Sequence, residues 1–489
     1  MSENIQISRH IKQILTQNLN DVFLFVASSD ERYSYANFLS AVEEVKMWLE
    51  ELGVKNGDRL CLLMNNSIEL VFLYFASLIL QLRVIPVDPM KGDQGVKEIL
   101  DQTSYDYIIT NVDGFDFLPN KIKLEKFQPR SADNEINYAL FDDLDFNQEF
   151  LITYTSGSTG IPKGVVHSFR NLYLSADAFR ERFSFNNKHF FYHNLPMTYM
   201  AGFLNQIILP FIAGSKIVIG DRFNIACLGN FWNYPIKYGV NVFFFIPTIL
   251  SLLLKLDRGQ QGIDYGNSQE IIGCCATAPL NPNTKRKFQD KYNIHLYETY
   301  GLSETLFVST NFVGADKSHS VGPVLNGVEL QFADDGEIAI NVPWILLKYE
   351  NADTNSYFNG NFYISGDIGE IDEDGFLSIT ERKKDLIKRG GLNVSPKRIE
   401  DFISGYNIFD DYAVVGVEDE VLGEKIVCYY IPNANYDEKV RKTLTKDLIK
   451  QFGQDYQIDE FIGVDEILKT VNGKINKPGL RQLYAEIKG

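Results

Sequence analysis

Residues 59–64 (RLCLLM), 82–87 (LRVIPV) and 106–110 (DYIIT) are short, largely apolar runs, accompanied by longer stretches of helical spacing such as 35–52 and 68–80. A strand with one wet face alternates apolar and polar residues, whereas a strand apolar along its length is covered on both faces. Helices laid over both faces of a parallel sheet provide that cover. Further runs at 216–219, 242–245 and 270–274 extend the alternation over residues 20–380. The pattern predicts an α/β fold built on doubly wound sheets.

Near residue 380 the texture changes. Residues 381–391 (ERKKDLIKRGG) hold five basic residues and end in a Gly pair, which reads as a solvated connector. Beyond it, residues 398–404, 412–417, 425–431 and 440–452 form a compact helix-and-strand pattern of domain size. A chain of 489 residues is expected to divide, since single cores stop growing near about 250–300 residues. The expectation is a large N-terminal domain, 1–381, and a small mobile α+β C-terminal domain, 382–489.

A net charge of −17 offers no basic face for nucleic acid, though a few local cations can still bind an anion. Cys61, Cys227, Cys274, Cys275 and Cys428 show neither CxxC spacing nor a zinc pattern with His. They are expected to be reduced, mostly buried thiols of a cytoplasmic protein. No secretory leader is evident at the N-terminus, where Ile7, Ile11, Ile14 and Leu15 predict a short amphipathic helix. The apolar run 70–80 is about half the ~20 residues a bilayer requires, so a buried helix is expected there and no membrane span.

Residues 154–164 (YTSGSTGIPKG) follow the apolar Phe150-Leu151-Ile152 and contain three glycines, four small hydroxyl residues and one lysine. Glycine permits close backbone approach, so successive N–H groups can surround phosphate oxygens while hydroxyls and Lys163 add donors and charge. A plain flexible linker needs neither the ordered hydroxyls nor the Pro-Lys-Gly close. A Walker loop ends in Gly-Lys-Ser/Thr at the start of a helix. Lys163 stands instead between Pro162 and Gly164, which rejects that motif.

The run resembles the phosphate loop of the adenylate-forming superfamily, which includes acyl-CoA synthetases, peptide-synthetase adenylation domains and luciferases. Four more segments resemble that superfamily's motifs, in its order: 299–305 (TYGLSET), 363–369 (YISGDIG), 381–400 (ERKKDLIKRGGLNVSPKRIE) and 468–477 (LKTVNGKINK). The resemblance runs from about residue 20 to the end.

It implies a site residue by residue. Thr155, Ser156, Gly157, Ser158, Thr159 and Gly160 would hold the β- and γ-phosphates of ATP, with Lys163 nearby. Ala276, Thr277 and Ala278 would support adenine, Tyr300 would stack on it beside Gly301, and Ser303 would touch the α-phosphate. Glu304 would bind Mg²⁺, a task for a hard oxygen ligand. Asp367 and Arg382 would fix the ribose hydroxyls, and Asn393 would add a polar phosphate contact. Lys474 would bridge the carboxylate and the α-phosphate, Lys384 would be the hinge, and Gly391 would approach the thiol once the small domain rotates. Tyr199, Gly202, Phe203, Ile246 and Pro247 would line the acyl pocket; Phe203 and Phe244 suit a plain core role equally.

Three segments depart from the superfamily pattern. Ser303 stands for the usual Thr, Tyr199 stands where acyl-CoA synthetases often carry His, and Ala276-Thr277 replaces Gly-Gly, adding bulk that points to a short or medium acid. Residues 195–205 (LPMTYMAGFLN) hold no carboxylate to pair a buried ammonium, so a plain acid is expected rather than an α-amino acid.

Joining a carboxylate to ATP brings two anions together, which calls for fixed positive charge and positioning rather than an acid–base pair. The implied activity is Mg²⁺-dependent formation of acyl-AMP from a small carboxylic acid, then transfer to the thiol of CoA or of a phosphopantetheine carrier protein. The alternatives are an acyl-AMP ligase, a luciferase-like oxidation, and a non-catalytic nucleotide-binding module. The retained Lys474 and Glu304 count against the last. The short stretch from Gly301 to Gly366 leaves no room for the insertion typical of long-chain acyl-AMP ligases and so favours thioester formation.

Overall fold

The computed structural model describes residues 3–118, 120–124, 137–155, 162–469 and 474–488. An eight-stranded sheet runs in the order Leu306–Thr310, His295–Leu302, Ile272–Cys275, Val242–Phe245, Phe190–His193, Lys216–Ile219, Val22–Val26, Glu31–Ser34. Its interior pairs are parallel and its two outermost pairs antiparallel. A seven-stranded sheet runs Lys348–Tyr349, Lys163–Ser168, Glu149–Thr155, Arg83–Val87, Arg59–Leu63, Tyr107–Thr110, Ile122–Lys123. It is parallel from Glu149–Thr155 onward.

Hydroxyls cap two helices of the large part. Ser34 and Asn37 form a reciprocal capping pair at the head of Tyr35–Glu51, and Ser67 accepts from the Leu70 N–H at the head of Ile68–Ile79. Apart from Glu69, the second helix is buried on every face. Phe38, Phe203 and Phe211 pack against its Phe75 and Tyr74 rings at 4.2–4.9 Å between centroids. No helix among the described residues is long and apolar enough to cross a membrane. Cys61, Cys274, Cys275 and Cys428 are buried, and all five thiols are free.

The expected strand–helix alternation stops short of residue 380. Past His295, strand follows strand, and Glu329–Phe332, Glu337–Asn341, Phe358–Asn359, Phe362–Ile371 and Leu377–Arg382 build a five-stranded antiparallel sheet. Phe362–Ile371 alternates buried and more open positions, as a half-covered strand does. Asp335-Gly336 and Asp374-Gly375, each with a left-handed glycine, turn the chain between neighbouring strands.

The C-terminal part has a sheet and core of its own. Leu392–Val394, Ile387–Arg389, Gly423–Pro432, Phe409–Asp419 and Glu460–Gly463 form the sheet. Ile387, Ile399, Ile426 and Leu444 pack one face, and Val415, Val427, Tyr429 and Leu480 the other. Residues 381–391 are therefore not a solvated connector. Lys383, Lys384 and Lys388 face solvent, but Ile387 is in the core, Arg389 pairs with Asp459, and Glu381 is 5% exposed. Glu381 accepts hydrogen bonds from Ser395 Oγ and the Lys397 N–H, both 2.9 Å, at the N-terminus of helix Pro396–Ser404. A carboxylate there meets unpaired N–H groups and the positive end of the helix dipole. Asn281 Nδ2 and Asn283 Nδ2 add bonds from the large part, to the Tyr412 hydroxyl at 2.9 Å and the Ser404 carbonyl at 2.6 Å.

Candidate active site

Strands Glu149–Thr155 and Lys163–Ser168 pair antiparallel with Thr155 opposite Lys163, so the phosphate-loop segment leaves and returns at one point. Ser156, Gly157, Ser158, Thr159 and Gly160 lie outside the described residues. The Lys163 ammonium bonds the Tyr357 hydroxyl and sits 4.5 Å from that ring's centroid and 5.9 Å from that of Tyr349. Aromatic faces hold the cation where it can meet an anion.

Glu304 follows the strand His295–Leu302. A side chain at Gly301 would strike the Leu306 carbonyl at 2.0 Å, so the tight return toward Leu306–Thr310 requires glycine. The Tyr349 hydroxyl donates to Glu304 Oε1 at 2.8 Å and lies 2.9 Å from the Tyr363 hydroxyl. Among the described residues, Oε2 of Glu304 accepts no hydrogen bond. A half-buried carboxylate anchored by one oxygen fits a hard divalent cation such as Mg²⁺. Next to it, the Ser303 carbonyl accepts from Nε2 of His167 at 2.7 Å. Burial pushes that histidine down to about 4, so it is neutral at physiological pH.

Tyr300, Asp367 and Arg382 form one unit. Asp367 and Arg382 face each other across an antiparallel pair, with Arg382 Nε 2.6 Å from Asp367 Oδ1. The Tyr300 hydroxyl donates to Oδ2 at 2.7 Å. Burial raises the Asp367 pKa, against the pull of Arg382, the Tyr300 bond and Lys474.

Lys474 comes from the C-terminal part, just before the point where Ile475 bridges back to Lys469. The residue keeps an exposed surface, yet protein crowds its ammonium. Desolvation lowers its pKa first, then Arg382 and Lys384, while Asp367 and Glu304 oppose the shift. Lys474 thus shares one electrostatic neighbourhood with Glu304, Asp367 and Arg382. Lys384 is exposed in the turn Lys383–Asp385. Gly391 (φ +86°) and Asn393 are also exposed, on the hairpin that follows.

Burial first, and then the charge of the Glu304 carboxylate, raise the pKa of Tyr199. Its loop is held by Asn66, which donates to the Leu195 carbonyl at 2.7 Å and accepts from the Met197 N–H at 2.8 Å. Gln206 accepts from the Leu195 N–H at 3.2 Å. A side chain at Gly202 would meet the Pro196 carbonyl at 1.9 Å, and Ala201–Ile208 continues as a wide π-type turn. Phe203 packs on Tyr74 and Phe150, and Phe244 on Phe179, within the core.

Ile246 and Pro247, both half-buried, open the helix Pro247–Leu256. Ala276 extends the eight-stranded sheet through a 3.2 Å bond to the Phe245 carbonyl, and Ala278 is half-buried beside it. Thr277 adopts φ +77°, an unusual conformation for a β-branched residue, and its buried Oγ1 makes no hydrogen bond among the described residues. Sequence reasoning gave no role to Tyr349, Tyr357, Asn66, Gln206, His167 or Tyr363, the last present only as the start of the 363–369 motif. Only the three tyrosines left a signal, as a cluster within residues 349–363.

The sequence pattern of AMP-binding enzymes matches residues 13–344, and that of the AMP-binding enzyme C-terminal domain matches residues 398–474. A long-chain-fatty-acid–CoA ligase of Mycobacterium tuberculosis is 26% identical over 491 residues, covering 94% of each chain. ATP-bound MatB from Rhodopseudomonas palustris superposes with a TM-score of 0.85 at 22% identity, covering 99% of this chain and 100% of that one. The o-succinylbenzoate CoA synthetase of Bacillus subtilis, in complex with ATP and magnesium ion, gives a TM-score of 0.79 at 19% identity over 96% and 99% of the two chains.

Proposed function

Because the chain belongs to the AMP-binding enzyme family, we propose that it activates a small carboxylic acid with ATP and passes the acyl group to the thiol of CoA. A carboxylate oxygen attacks the α-phosphorus, pyrophosphate leaves, and the acyl-AMP then yields thioester and AMP. The single observation that carries this reading is that Lys474 lies within the electrostatic reach of Asp367, Arg382 and Glu304, all four charges acting on one neighbourhood. A lysine from one core, crowded against nucleotide-binding groups of another, supplies fixed positive charge where two anions must approach.

Lys163 and the loop after Thr155 take the outer phosphates, while Asp367 and Arg382 take the ribose. Tyr300 and the 276–278 segment take the base. Bound Mg²⁺ would neutralise phosphate charge, with Glu304 as its protein ligand. The acid enters beside Tyr199 along the Asn66-braced loop, with Ile246 and Pro247 as wall. The strained Thr277 adds volume and favours a short or medium chain. The division between domains falls at residues 381/382, with Lys384 as hinge and Gly391 on the face that meets the thiol after rotation. Relatives named as CoA ligases support CoA over a carrier protein as acceptor.

Acid-dependent pyrophosphate release over short aliphatic, hydroxylated and aromatic acids tests the first step, and mass detection of a CoA thioester tests the second. Butanoate against 2-aminobutanoate at equal concentration tests the substrate class. Preference for the amino acid would overturn the plain-acid assignment, and no acid-dependent release would overturn the activity.

A further inference from the structure

The hydroxyl chain behind Glu304 has a direction. A carboxylate can only accept, so the Tyr349 proton goes to Glu304 Oε1 at 2.8 Å. The Tyr349 oxygen must then accept from Tyr363, 2.9 Å away. Tyr349 and Tyr363 are 4% and 5% exposed, so water does not compete for these bonds. Each phenol has a single proton, which fixes the order as Tyr363 to Tyr349 to Glu304.

The backbone of Tyr349 is equally constrained. Tyr349 lies opposite Val165 in the pair formed by Lys348–Tyr349 and Lys163–Ser168. Bonds from Leu347 N–H to the Val166 carbonyl, 2.8 Å, and from Glu350 N–H to the Gly164 carbonyl, 2.7 Å, lock the register on both sides. Arg59 pairs with Glu350 at 2.7 Å and anchors the same segment from the sheet interior. The strand that begins with Lys163 therefore also fixes the phenol that grips Glu304.

We propose that Tyr349 is a positioning residue: it aims the Glu304 carboxylate and keeps it in register with Lys163, so that cation and carboxylate address one polyphosphate together. The inference rests on the reading of Glu304 as the Mg²⁺ ligand. Without Tyr349 the carboxylate keeps its charge but loses its orientation.

The test is calorimetric binding of α,β-methylene-ATP to the full chain with and without Mg²⁺, which needs no turnover. The wild type is expected to bind the analogue more tightly when Mg²⁺ is present. Tyr349→Phe, which keeps the ring, should lose about tenfold of that gain, the size of one hydrogen bond to a charged group. Its affinity without Mg²⁺ should stay within about twofold. Glu304→Gln should lose the gain as well, and the double variant should be no worse than Glu304→Gln alone.

A full Mg²⁺ gain in Tyr349→Phe, with the gain lost in Glu304→Gln, overturns the positioning role alone. A full gain in Glu304→Gln removes the metal assignment and this inference with it. An additive loss in the double variant would mean that Tyr349 acts by another route. If Tyr349→Phe does not fold, Tyr363→Phe tests the same chain one link back, and an unchanged Mg²⁺ gain there overturns the proposal.

Discussion

Asp367 and Arg382 meet twice, once as backbone partners across two strands of the third sheet and once through a 2.6 Å contact between Oδ1 and Nε. With Tyr300 on its other oxygen, the carboxylate is already oriented, which would spare the proposed nucleotide binding part of the cost of ordering it.

Asp367→Ala should therefore act on stability and on binding together. It leaves the Tyr300 hydroxyl, on a residue 9% exposed, without its acceptor, at a cost of about 1–3 kcal/mol. Thermal unfolding and the KM for ATP should both worsen. A lower Tm with unchanged KM would confine Asp367 to a structural role.

Lys474→Ala should abolish acid-dependent pyrophosphate release, since a preorganised charge at the reacting phosphate is worth about 3–4 kcal/mol. It should spare thioester formation from supplied acyl-AMP. Because Lys474 titrates below an ordinary lysine at 10.5, wild-type adenylation should fall on the alkaline side before that value. An alkaline limb unchanged in Lys474→Arg would assign the titration to another group.

Lys384→Pro should separate the half-reactions. Proline restricts the backbone on which rotation depends, so thioester formation should drop while pyrophosphate release persists. Equal loss of both steps would argue against two orientations of the small domain.

His167 and His193 should make the large part acid-sensitive. Burial holds both near 4 in the fold, whereas an unfolded chain takes up these protons near 6.5. Stability is complete above the unfolded value and is lost as pH falls from about 6.5 toward 4. A difference of that size is on the order of 3 kcal/mol per histidine. His193→Asn should flatten the dependence of Tm on pH in this window, and an unchanged slope would remove His193 from the cause.

The two large sheets were legible because parallel strands covered on both faces betray themselves as unbroken apolar runs. Residues 242–245 and 216–219 are strands over that full extent. The third sheet was hidden by the same logic, since half-covered strands alternate and Phe362–Ile371 mixes Gly, Ser and Asp into its pattern. The buried members of residues 381–391 were masked by the lysines around them, because charge in a sequence does not say which neighbours point inward. Ordered motifs singled out Glu304, Asp367, Arg382 and Lys474 as candidates. The grip of Tyr349 on Glu304 could not be read locally, since 45 residues separate the two in sequence and only the folded register unites them.

The placement of Glu381 bears on timing. It precedes Lys384, whereas Ser395 and Lys397 follow it, so on the proposed rotation about Lys384 a 5%-exposed carboxylate would lose these two donors and keep the Arg382 N–H at 2.9 Å. Hydrogen bonds to a charged group are worth about 1.5–3 kcal/mol each, enough to hold the resting population well over tenfold on one side. The enzyme would idle set for adenylation, with the rotated form a rare excursion until product in the site repays the loss. Thiol would then meet a receptive surface mainly after acyl-AMP exists, and little of it would be held idle beforehand.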